Sequence, residues 1–278
     1  MAMQMTIVSL SELRQTVRDL GVSRSPVCLH SSFKSIGGVE GGPQTVVDAF
    51  LLEGCTLLVP TFTYHFRIPP PAGMRPAQNG WDYASASAGA ATARSVYRPD
   101  TLEISAKEMG IVPTTIVSLP GRVRGNHPLN SFTATGPLAK EMILAQSGLD
   151  VYAPLKRLAE REGWVVLMGV GLSRMTLLHL AEEMAGRNLF RRWANRSNGK
   201  PVMVATGGCS EGFGNFEPVL GPLARESSVG RSLWRAFPVR ELLDAARRAI
   251  QDRPQITHCG DADCLRCNDA VQGGPVLS

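Results

Sequence analysis

Val27-Cys28-Leu29-His30-Ser31-Ser32-Phe33, then Gly37-Gly38-Val39-Glu40-Gly41-Gly42, then Pro43 to Leu52 and Thr56-Leu57-Leu58-Val59 together decide the fold. The first four residues form a short apolar run of the length of a buried strand. The glycines open a turn, and Pro43 is tolerated in the first turn of a helix that continues to Leu52. A second apolar run, Thr56 to Val59, is a strand stopped by Pro60. Strand, turn, helix and strand in this order make a βαβ unit, and hence a parallel sheet covered by helices. The fold class expected is α/β: a layered α/β/α unit with a largely parallel central sheet.

Upstream, Ser9 to Leu20 carries Leu10, Leu13, Val17 and Leu20 at helical spacing, with Ser9 or Ser11 as N-cap and Gly21 as the stop. Downstream, Phe66 to about Asp100 is rich in Pro, Gly, Ala and Ser, which predicts a long irregular loop of the kind used for lids and binding segments. Helical spacing returns over Thr101 to Met109 and Pro137 to Gln146. Val165 to Val170 is the clearest strand; it runs through Gly169 and Gly171 into a helix from about Met175 to Ala185. Val202 to Ala205 is a further strand, and Ser232 to Ile250 closes a body spanning 1–254. Residues 255–278 form a cysteine-rich tail.

At 278 residues, 44% hydrophobic and 19% charged, the chain falls outside the disordered class. No apolar run approaches the ~18 residues of a membrane span. Met1 to Glu12 lacks the basic-then-apolar-then-small order of a secretory signal, so a cytoplasmic location is expected. The net charge is +5, and only five of the 29 cationic residues are lysines, so arginine forks suited to phosphate or carboxylate dominate. The cations are scattered and aromatic residues make up only 6%, which argues against nucleic acid.

Four constellations carry chemistry. His30-Ser31-Ser32-Phe33 lies at a strand's carboxyl end beside a glycine-rich turn, where hydroxyls and free N–H groups can face a diphosphate; a hydrogen-bonded turn reads equally well. Pro120 to Phe132 crowds Arg122, Arg124, His127, Asn130 and Ser131 into one loop, a concentration of donors for an anion. Gly169 to Glu182 places Thr176, His179 and Glu182 three residues apart near one helix face, so that His179 can act as a base if a carboxylate holds its other nitrogen. In the tail, Cys259, Cys264 and Cys267 have zinc-like chemistry in a reducing compartment, with His258 or the distant Cys209 needed as a fourth ligand. Cys28 and Cys55 sit on predicted strands as core thiols.

The blocks Val27 to Ser32, Leu57 to Tyr64, Arg124 to Gly136 and Thr176 to Glu182 resemble, in that order, the aminoglycoside 3-N-acetyltransferase family, over about Val27 to Ile250. The resemblance implies two interleaved subdomains in one unit and acetyl transfer from acetyl-CoA to a cationic amine, in resistance members the 3-amino group of a 2-deoxystreptamine ring. It implies that His30, Ser31 and Ser32 contact the diphosphate or pantetheine, and that Arg124, His127, Ser131 and Ala134 line the same channel. Thr176 would lie by the thioester and His179 would be the general base, oriented by Glu182 or Glu103. Asp82, Glu103, Glu182 and Glu211 are the carboxylates considered for a polycation, with Tyr64 packing on a sugar ring. Asp82 and Asp100 are the only carboxylates between Phe66 and Asp100, so a non-antibiotic amine stays open as substrate. A zinc-dependent hydrolase with His30, His127 and His179 as ligands is the competing enzyme class, and a zinc-tailed interaction module the non-catalytic one. A homodimer is compatible with the sequence.

Overall fold

Six uncharged residues, Pro26–Ser31, form the strand around which the molecule is assembled. Successive side chains point to opposite faces. Val27 and Leu29 join one apolar layer with Leu57, Val59, Val166 and Met168, while Cys28 joins the other with Leu58, Val165 and Leu167. A sheet buried on both faces needs helices on both sides. The computed structural model, which describes residues 7–84 and 96–277, has that arrangement.

The seven-stranded sheet runs Arg225–Val229, Ser232–Pro238, Trp164–Met168, Pro26–Ser31, Thr56–Pro60, Phe132–Thr135, Val123–Arg124. Its three central strands are parallel, with Cys28 beside Leu58 and His30 beside Leu167. The flanking pairs are antiparallel on both sides. The parallel centre brings the carboxyl ends at Ser31 and Met168 side by side, where a ligand crevice forms in such sheets. A smaller antiparallel sheet joins Arg67–Ile68 to Phe190–Asn195 and Pro201–Thr206, so segments distant in sequence interleave.

The helix Pro43–Leu52 has the expected bounds, and Leu10–Asp19 is closed by a capping box in which Ser9 and Glu12 bond each other's backbone. The spacing over Thr101 to Met109 gives a helix only from Ala106; Gly110 at φ 84° then breaks the chain before a second helix, Ile111–Val117. The segment from Ser232 divides into a strand and the helix Val239–Asp252 at Pro238. Phe190–Asn195 carries two adjacent arginines and shows no strand signal in sequence; it is a strand because it pairs on both edges.

The cysteine-rich segment packs against the long loop. Gln78 donates to the carbonyls of Gln272 at 3.0 Å and Gly274 at 2.9 Å, and the Gly80 N–H donates to Asp269 at 2.6 Å. Among the described residues no helix is long and apolar enough to cross a membrane.

Candidate active site

The helix Leu177–Met184 starts where the chain leaves the central strand Trp164–Met168, so its first turns stand over the sheet's carboxyl edge. His179 and Glu182, three apart, fall on one face and meet: Nδ1 lies 2.7 Å from Glu182 Oε2. An ionised carboxylate only accepts, so Nδ1 carries the proton and Nε2 is left for a group in the cleft. The second oxygen, Oε1, accepts from Arg187 at 2.8 Å; Arg187 also donates to the Thr257 hydroxyl and the Pro254 carbonyl. Glu182 and Arg187 are both buried, so each neutralises a charge that would otherwise be costly. The imidazole is wedged between Tyr152, stacked at 6.4 Å, and Phe213, edge-on at 4.8 Å. A Cβ on Gly207 would come within 2.5 Å of His179 Cδ2, so the loop approaches the ring only because it lacks a side chain there.

A cleft of about 1110 Å³ opens over these groups, lined by His30, Ser31, Ser32, Phe33, Tyr64, Thr176 and His179 among the residues singled out from sequence. Among the described residues its wall also carries Lys34, Arg67, Lys107, Arg174, Arg192 and Arg266, against a single carboxylate, Glu108. Six cations to one anion suit a polyphosphate ligand. Burial pushes the His30 imidazole down to about 4, so it faces the cleft neutral. Tyr152, also on the wall, has its phenol raised well above its usual value by burial and then by Glu182, which keeps it protonated. Its hydroxyl, packed against Gly207, makes no well-formed hydrogen bond.

Several expected site residues lie elsewhere. Arg124 is not on the cleft wall: its guanidinium is consumed by Ser131 Oγ and the carbonyls of Thr101, Thr61 and Glu103 at 2.8 to 3.1 Å. Ser131 in turn donates to the Thr61 carbonyl, and Ala134 is buried in the sheet. His127 donates from Nε2 to the Ala205 carbonyl at 2.8 Å and accepts at Nδ1 from the N–H groups of Leu129 and Asn130. Burial pushes its imidazole down to about 4. With both nitrogens engaged it cannot ligate a metal, which removes the three-histidine site of a hydrolase. Glu103 is exposed and pairs with His65 at 2.9 Å, leaving Glu182 as the carboxylate on His179. Asp82 and Glu211 also lie outside the wall, where their neighbours Trp81 and Ser210 stand.

The sequence model of the aminoglycoside 3-N-acetyltransferase family matches residues 28–251. The chain belongs to that family. Aminoglycoside N(3)-acetyltransferase IX of Micromonospora chalcea is 34% identical over 187 residues, covering 64% of this chain and 63% of the relative, so the match spans under two thirds of that protein. Aminoglycoside N(3)-acetyltransferase VII of Streptomyces paromomycinus is 31% identical over 266 residues, 85% of this chain and 89% of the relative. The crystal structure of the aminoglycoside acetyltransferase AAC(3)-IVa apoenzyme superposes with a TM-score of 0.78 at 27% identity, covering 98% of this chain and 100% of that one.

For this member of the aminoglycoside 3-N-acetyltransferase family, sequence reasoning missed Arg187, Tyr152 and Gly207; of the donor-rich loop Pro120 to Phe132, Asn130 does reach the cleft wall, with its side-chain oxygen buried and unbonded. Arg187 lies five residues after Glu182, off the helical ladder, and no local pattern marks it. The sulfurs of Cys259, Cys264 and Cys267 do converge, and Cys209 joins them, all within 4.8 Å of one another. His258 is not the fourth member, because Nε2 meets Asn268 Oδ1 and Nδ1 accepts from the Gly260 N–H.

Proposed function

We propose that this protein transfers the acetyl group of acetyl-CoA to an amine, the 3-amino group of a 2-deoxystreptamine ring, with His179 as general base. The observation that carries the reading is the imidazole held at 2.7 Å by Glu182 on the wall of a cationic cleft. An ammonium is not nucleophilic, so the amine reacts as its free base. As the N–C bond forms, the amine proton passes to His179 Nε2. The C–S bond then breaks, and the imidazolium returns that proton to the departing thiolate. The oxyanion formed in between needs a donor, a role that the hydroxyl of Thr176, a cleft-wall residue, would fill. The basic wall around Ser31, Ser32 and Lys34 would take the phosphates of coenzyme A.

Relatives support the ligand classes. A variant of AAC(3)-IVa, 27% identical with a TM-score of 0.76, was crystallised with a gentamicin. AAC-IIIb, which shares the fold at 19% identity, was crystallised with CoASH. A second reading, an amine other than an antibiotic, is favoured by the wall's charge: one carboxylate, Glu108, is a poor match for a polycation.

Thiol release from acetyl-CoA against a panel of aminoglycosides and simple amines, with the product site mapped by NMR, separates the two. Turnover confined to aminoglycosides supports the first reading, and turnover confined to simple amines the second. His179→Ala should lower the rate by about two orders of magnitude or more. Unchanged turnover removes His179 from the mechanism.

A further inference from the structure

Outside the cleft, the strongest unassigned chemistry is the group of four thiols. Cys209 follows the strand Pro201–Thr206 in the cleft-lining loop, whereas Cys259, Cys264 and Cys267 come from the segment after the last long helix. Their four sulfurs lie within 4.8 Å of one another. A tetrahedral zinc with Zn–S bonds of ~2.3 Å places its sulfurs about 3.8 Å apart, so small side-chain movements close the site. The Cys259 N–H donates to Cys267 Sγ at 3.4 Å, the kind of amide contact that supports a thiolate bound to metal. Cys209 and Cys267 are buried and Cys259 and Cys264 half-buried, so the centre is shielded yet reachable.

We propose that Cys209, Cys259, Cys264 and Cys267 bind one structural zinc ion that pins the wall of the active-site cleft. Four thiolates are a soft donor set that fills every position of a tetrahedral metal, which leaves no open coordination site for catalysis. The effect of the ion is therefore mechanical. Gly207, Gly208 and Ser210, beside Cys209, line the cleft, and so does Arg266, between Cys264 and Cys267. Gly207 is the residue packed against the His179 ring. One ion joining these two segments fixes both the loop against the base and an arginine of the cationic wall.

The test reads metal, so it stands apart from the acetyltransferase assay. The full chain, purified without chelator, should contain about one zinc per chain by elemental analysis. Cys209→Ser and Cys267→Ser should each lose most of it. Chelator-treated protein given Co(II) should develop the thiolate charge-transfer and intense d–d bands of a tetrahedral sulfur site, and zinc should raise its melting temperature. The inference is overturned if no zinc co-purifies and the stripped chain takes up neither ion. It is equally overturned if thiol titration in denaturant finds the four cysteines paired as disulfides.

Discussion

Glu182 divides its two oxygens between a ring and a guanidinium, and each contact depends on the other. Removing its charge by Glu182→Gln leaves Arg187 buried without a counter-ion, which costs about 3–5 kcal/mol when a buried pair is broken. It also leaves one acceptor oxygen where His179 and Arg187 each used one, so an NH2 group faces one of them and the His179 tautomer is no longer fixed. The variant should melt lower and lose at least about tenfold in turnover, with the pH dependence of kcat displaced; a profile unchanged in both height and position would show that Glu182 is not the orienting group. The His179 and Glu182 pair was legible because helical spacing alone puts residues three apart on one face. Arg187 was not, because Gly186 at φ 98° turns the chain out of the helix and its position depends on partners about seventy residues away.

The segment Arg124 to Phe132 shows the limit of reading function from donor-rich loops. Its arginine, histidine and serine are types that bind anions, but those same groups satisfy backbone carbonyls, and the carbonyls of Thr61, Thr101 and Glu103 cannot be seen in sequence. Arg124 therefore ties the entry to the strand Phe132–Thr135 to two other segments. Arg124→Ala should leave the acetyl-CoA dissociation constant within about twofold while lowering stability by more than ~2 kcal/mol, since several buried acceptors lose their donor. Equilibrium urea unfolding and calorimetric titration measure the two effects; a weaker cofactor with unaltered stability would return Arg124 to the binding site. By contrast the central strands and the helix Pro43–Leu52 were legible to within a residue or two, because apolar runs of strand length and a proline at a helix start carry their own signal. The antiparallel flanks were not, since strand direction is set by partners distant in sequence.

Across the whole molecule, two neutral buried histidines make stability depend on pH. His30 and His127 are both pushed down to about 4 by burial, while an unfolded histidine titrates near ~6.5. Between those values the unfolded chain binds protons that the folded chain refuses, so stability is full above about pH 6.5 and falls as the pH drops toward 4, by up to ~1.4 kcal/mol per pH unit for each ring. Urea midpoints at pH 7.5, 6.0 and 5.0, a range in which most carboxylates stay ionised, should decrease in that order; a constant midpoint would mean that the rings are protonated in the folded state. The interleaving also has a consequence in time. Pro254 and Thr257, which brace Arg187, are translated about seventy residues after it. Until those two residues have left the ribosome tunnel, the nascent chain therefore carries Glu182 beside an arginine that nothing yet holds in place.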